Sequence, residues 1–220
     1  MHDQAGSDRR VDGHGADPED LTARARIREA AVALFGELGF ERTTFRGIAE
    51  VAGVAPSLVR HHFGSKQGLR DACDKHLIKT LRRLNARVET NGLDAAPDMR
   101  PSTALGPYQR YLARALSEGA ATALFDEFVR IHEQWLAQAD RVSDDPPKAD
   151  LRARAVVRTA MTLSISVLHE HVSRSMGADL ADPDGERRLL RAMLDVYSQP
   201  MLTPQEATAA RDALDKGETR

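Results

Sequence analysis

Two adjacent histidines, His61 and His62, lie with Arg60 and Lys66 inside the stretch GVAPSLVRHHFGSKQGL, residues 53–69. Such residues can ligate a metal, transfer protons or contact phosphate. The first use fails on geometry, because neighbours on a helix diverge by about 100° and cannot both reach one ion. His169 and His171 diverge further. Cys73 and His76 have a usable i, i+3 spacing but no third ligand nearby in sequence, so they read as a buried thiol and a helix-surface histidine. No metal and no cofactor is expected. Nor is an enzyme, since there is no glycine-rich phosphate loop and no nucleophile elbow, and the HEHVSR run at 169–174 points its histidines and carboxylate in different directions. Phosphate contact and a plain solvated helix face remain level for the opening stretch taken alone.

The elements that position it are helices. Ile27, Ala31, Leu34, Phe35 and Leu38 recur at helical spacing over 21–38, and Gly39 follows where a left-handed cap is wanted. Thr44 can cap a short second helix that turns Phe45, Ile48 and Ala49 inward and ends at Gly53. Pro56 then opens a third, at the position where a missing amide hydrogen does no harm. Three short helices, the last two joined by a glycine turn, make a helix-turn-helix. On the third helix Val59 and Phe63 share the inward face, while Ser57 and His61 point away from it with Leu58 and Arg60 alongside. That outward face is small, polar and cationic, as entry into a major groove requires. Ser65 can cap a fourth helix whose first amides and Lys66 would suit a phosphate.

Composition permits this reading. The 220 residues carry a net charge of -2, which by itself disfavours a polyanionic partner. The charge is uneven, however: residues 1–20 hold two arginines against six acids, and residues 21–69 hold six arginines and a lysine against four glutamates. We expect a disordered acidic tail at 1–20, a helix-turn-helix domain at 21–66 and a larger helical domain at 67–220. No apolar run suits a signal peptide or a membrane span, and the single cysteine forms no internal disulfide, so a cytoplasmic location and no membrane partner are expected.

The segment ERTTFRGIAEVAGVAPSLVRHHFGSKQGL, preceded by a helix ending in LFGELGF, resembles the DNA-binding segment of the TetR family of transcriptional regulators. The match covers roughly residues 24–70; the body resembles the family only in length and helicity. The resemblance implies an all-α protein with an N-terminal three-helix DNA-binding domain and a helical ligand-binding and dimerisation domain. It also implies a homodimeric repressor that binds a palindromic double-stranded operator and is released by a small, largely apolar inducer. Thr44, Arg46, Pro56, Ser57, Leu58, Arg60, His61, His62 and Lys66 are then the DNA-contacting candidates, Lys66 matching the family's phosphate-binding lysine. Arg60 and His62 stand where the family most often has tyrosines, Ala55 where it has a capping serine, and Gly47 where it has an acid that braces the second helix. The competing reading is a ligand- or protein-binding helical module that has lost DNA binding.

The body reads as helices over 65–88, 102–117, 120–139, 148–176 and 186–198, with a last one opened by Thr203 and Pro204; glycine and prolines break the chain in NGLDAAPDMRP. The helix over 148–176 is apolar around most of its circumference and so needs cover on two sides, from its own subunit or from a twin. The resemblance favours the twin, with Val156, Leu163, Val167, Leu189, Met193 and Tyr197 at the interface. Tyr108, Tyr111, Phe125, Phe128, His132, Trp135 and Met161 are the candidates to line a ligand pocket, His132 as its polar handle, although for each taken singly simple core packing is the better explanation.

Overall fold

A computed structural model describes residues 18–91, 106–143, 147–199 and 201–217, and every regular element among them is a helix. The first, α1 (Pro18–Leu38), begins three residues earlier than the periodicity suggested, so residues 18–20 of the expected tail are helical while 1–17 lie outside the described residues. The chain leaves α1 through Gly39, and the buried Thr43 hydroxyl fastens the turn by hydrogen bonds to the carbonyls of Leu34 (3.1 Å) and Gly39 (2.8 Å).

Helices α2 (Phe45–Ala52) and α3 (Pro56–Phe63) follow with the expected signals at their ends. Thr44 caps α2 by accepting the Gly47 amide at 3.1 Å. Gly53 takes the left-handed φ of 64° that a side chain would disfavour, and the Val54 amide closes back on the Ala49 carbonyl at 3.0 Å. At α3 the cap position is Ala55, with no side-chain bond, which forgoes ~1 kcal/mol. Full burial of a side chain such as Ile48 or Val59 outweighs that loss at about 1.5–3 kcal/mol each. Those two, with Ala49, close on Ile27, Ala31 and Phe35 of α1.

The long α4 (Lys66–Asn91) leads from this unit into the body, burying Leu69, Cys73, Leu77 and Leu81 at helical spacing. It crosses the boundary expected at residue 66 without interruption. The break expected in NGLDAAPDMRP falls mostly in 92–105, outside the described residues, as does the start of the helix expected from Ser102. A single 3-10 turn, Gly106–Tyr108, leads into α5 (Gln109–Ser117), which packs on α1. Helix α6 (Thr122–Arg141) packs on α4 and, most extensively, on α7 (Leu151–Val167).

The single helix expected over 148–176 is divided. Leu168, with ψ near 17°, separates α7 from α8 (His169–Met176), just after a turn in which the Ser164 hydroxyl donates to the Met161 carbonyl at 2.7 Å. Such back-bonding competes with the helix ladder and favours a bend. Two further helices, α9 (Pro183–Ser198) and α10 (Pro204–Gly217), complete the described chain. None of the described helices is long and apolar enough to cross a membrane.

Candidate nucleic-acid interface

Val59, fully buried, anchors α3, and the residues on the opposite side of the helix come out into solvent: Pro56, Ser57, Arg60 and His61 are all exposed. Thr44 and Arg46, at the start of α2, are exposed beside them. Among the described residues neither Arg46 nor Arg60 takes part in an ion pair, so both guanidinium groups keep their donors for an outside acceptor. A planar fork of N–H groups suits a phosphate or the acceptor edge of guanine.

Two candidates are placed less openly. Leu58 and His62 are half-buried. The His62 ring lies edge-on to His61 and Phe63, with centroids 5.5 and 6.2 Å away, and its Nε2 is enclosed without a hydrogen-bond partner. His61 thus offers the freer imidazole of the pair.

Lys66 is engaged within the chain. Its ammonium donates to the carbonyls of Phe40 (2.8 Å), Glu41 (3.1 Å) and Thr43 (3.2 Å), and sits 4.5 Å from the centre of the Phe40 ring. One cation escaped the sequence reading. Arg24 of α1 is exposed, with its guanidinium 5.5 Å from the Phe63 ring at the end of α3. No local pattern marks it, because its neighbour is set by the packing of α1 against α3.

Among the described residues, the expected pocket candidates take separate places in the packing. Tyr111 is buried between α1, α4 and α5, where its hydroxyl makes a short hydrogen bond to the Asp74 carboxylate. The void beside it, about 10 Å³, has room for a single water, and Phe35, Phe40, Arg70 and Arg114 help to line it. Tyr108 stands against His76 with ring centres 6.2 Å apart. Phe125, Phe128 and Trp135 pack on the core, and the Trp135 indole donates to Asn85 at 2.7 Å. His132 is buried and bonded through Nδ1 to the Thr159 hydroxyl at 2.8 Å. Burial, and then the charge of Arg158, push its pKa down to about 4. Met161 is 55% exposed and stands on the outer face of α7.

That outer face holds Val156, Val157, Met161, Val167 and Leu168, and Leu194, Val196 and Tyr197 of α9 are exposed as well. Arg158 bridges the two helices, 4.4 Å above the Tyr197 ring. Among the expected interface residues Val156, Val167 and Tyr197 are exposed, and Leu189 and Met193 are half-buried. Leu163 is placed differently. At 5% exposure it belongs to the core of its own chain, on the opposite side of α7 from Val157 and Met161.

No group of three His, Cys, Asp or Glu side chains suited to an ion occurs among the described residues, around Cys73 and His76 included. The Cys73 thiol is buried, and its pKa is pushed up to about 12, chiefly by desolvation and further by Asp74.

Residues 27–73 match the family model described as bacterial regulatory proteins, tetR family. The HTH-type transcriptional regulatory protein RaaS of Mycobacterium tuberculosis is 39% identical over 140 residues, covering 62% of this chain and 66% of RaaS. The HTH-type transcriptional regulator BetI of Burkholderia thailandensis is 32% identical over 72 residues, 33% of this chain and 37% of BetI. The chain therefore spans just under two thirds of the first relative and little more than a third of the second. Among solved structures, a gamma-butyrolactone receptor (ArpA-like protein) superposes with a TM-score of 0.57 at 28% identity, covering 69% of this chain and 82% of its own. A TetR-family transcriptional regulator from Rhodococcus sp. superposes with a TM-score of 0.52 at 22% identity, covering 67% and 87%, which speaks to the fold.

Proposed function

Because the chain belongs to the TetR family of bacterial regulatory proteins, we propose that it is a cytoplasmic repressor which binds a palindromic DNA operator as a homodimer and leaves it when a small, largely apolar molecule enters the body. The observation that carries this reading is the free face of α2 and α3, where Thr44, Arg46, Pro56, Ser57, Arg60 and His61 stand in solvent around the buried Val59. Short side chains at the start of α3 let its backbone approach base edges, while the arginines and Arg24 meet phosphates on either side.

The apolar outer faces of α7 and α9 supply the second half of the proposal. Uncovered valines, leucines and a tyrosine on adjacent helices are stabilised by packing against their symmetry mates as a four-helix interface. The two α3 helices would then enter successive grooves about 34–36 Å apart. The likeness to a gamma-butyrolactone receptor supports a small-molecule ligand. Ligand that favours one tilt of α4, the rod continuous from Lys66 into the body, would alter the spacing of the recognition helices.

Selecting bound fragments from a random pool of duplexes tests the reading. It expects an inverted repeat with half-sites about one helical turn apart and binding that weakens steeply with salt. Enrichment of sequences without dyad symmetry, or no enrichment, would refute it.

A further inference from the structure

Resting on the operator-binding reading above, we infer that Tyr111 of α5 is a positioning residue: it sets how the DNA-reading unit α1–α3 sits on the body, and through that which half-site spacing the dimer accepts. Three helices meet at this residue. Its buried ring lies against Phe35 of α1, with centroids 6.3 Å apart. Its main chain and that of Arg110 lie against Gly36, where α1 has no side chain to hold α5 away. Its hydroxyl donates to the Asp74 carboxylate of α4. Burial, and then the charge of Asp74, raise the pKa of that hydroxyl, so the proton stays on the tyrosine. At the rim of the same contact Arg110 approaches the Glu37 carboxylate of α1, and Arg114 donates to the Glu37 carbonyl.

Helices α2 and α3 close on α1 through Ile48 and Val59, so the three form one unit. That unit packs on α5 through α1, and α5 packs on α7, whose outer face carries Val157 and Met161 at the proposed dimer contact. The distance and angle between two α3 helices are therefore set through α7, α5 and α1 in each subunit, as well as through α4. Apolar packing is non-directional and lets helices slide, whereas a buried hydrogen bond has a preferred distance and angle and costs free energy when it is broken without replacement. The Tyr111 hydroxyl supplies such a directional contact to α4 while the ring holds α1. Half-site spacing is what this contact controls. One added base pair moves a half-site by about 3.4 Å along the duplex and about a tenth of a turn around it. A firmly held pair of readers cannot follow that displacement; a loosened pair follows it in part. Preference within a half-site is unaffected, because the side chains of α2 and α3 that read it are unchanged.

The test uses the full-length protein and three duplexes: the inverted repeat that the wild type selects from a random pool, the same duplex with one base pair added between its half-sites, and a duplex holding a single half-site. Tyr111→Phe keeps the ring and removes the hydroxyl. The ratio of affinities for the first two duplexes should fall roughly five-fold, the scale of one net intramolecular hydrogen bond, while affinity for the single half-site stays within about two-fold of the wild type. General destabilisation lowers affinity for all three alike and leaves the ratio unchanged. Asp74→Ala removes the acceptor from the α4 side and should give the same fall, with no further fall in the double variant, whereas Asp74→Asn keeps an acceptor oxygen and should retain the wild-type ratio. An unchanged ratio in Tyr111→Phe or Asp74→Ala, effects that add in the double variant, or a ratio lost equally in Asp74→Asn would overturn the inference. Selection that yields no inverted repeat refutes the operator-binding reading itself, before any variant is made, and the inference with it.

Discussion

Replacing Glu127 by glutamine should destabilise the body in a manner that depends on pH in a calculable way. The Glu127 carboxylate, 6% exposed, accepts two hydrogen bonds from Arg82 of α4 (3.0 and 2.8 Å) and is also bound by Arg130 on its own helix, so it joins α6 to α4. The Arg82 bonds, with Arg130 behind them and against the effect of burial, bring its pKa from 4.5 to about 2. At about 1.4 kcal/mol per unit, such a shift sets an upper bound of roughly 3 kcal/mol on what ionisation contributes to folding at neutral pH. Arg82 is 61% exposed, and solvent screening reduces the expected value to about 1–2 kcal/mol. The carboxyl is depressed in the folded state, so the stabilisation is complete above its unfolded value near 4.5 and disappears as the pH falls through about 2. Urea unfolding of wild type and Glu127→Gln at fixed protein concentration should show a gap of about 1–2 kcal/mol at pH 7 that falls below half its size by pH 3. A gap equally large at pH 3 would refute the assignment of the stabilisation to this ion pair.

Arg46→Ala should cost ~1–3 kcal/mol in operator affinity and relax preference at one base-pair position, measured by binding to single-substitution variants of the selected duplex. Val157→Glu, at the centre of the exposed face of α7, should shift the protein from dimer to monomer in analytical ultracentrifugation while the helical circular dichroism persists. Cys73 should resist alkylation by iodoacetamide in the native protein at pH 8 and react at once in denaturant, because burial and a pKa near 12 leave almost no thiolate.

The helix-turn-helix was legible because its punctuation is local. Thr44, Gly53 and Pro56 each act on the backbone within a few residues, and each end they mark is where the helices begin or stop. Val59 declared its inward direction through the polar residues opposite it. The fate of Lys66 was not legible, since its acceptors are backbone carbonyls 23 to 26 residues away and every residue type has one. The phase of α7 was ambiguous for another reason. Apolar side chains surround that helix, so its sequence alone does not distinguish Leu163, turned into the core, from Met161, turned to solvent. The division at Leu168 arises in a run of ordinary helix formers, where only the Ser164 back-bond distinguishes the site. Tyr111 looked like a pocket aromatic because its partner, Asp74, lies on another helix.

The contact between Gly36 and α5 bears on how this protein could be re-engineered. A methyl group added at Gly36 would come within 2.9 Å of the Tyr111 backbone nitrogen, so α1 and α5 lie backbone to backbone there, and Phe35 meets the Tyr111 ring with centroids 6.3 Å apart. A chimera cut after residue 73, where the sequence match to the family ends, would therefore sever a packed seam. Transplanting the operator specificity of this chain onto another regulator calls for grafting only the solvent-facing side chains of α2 and α3, leaving the recipient's own first helix seated in its own body.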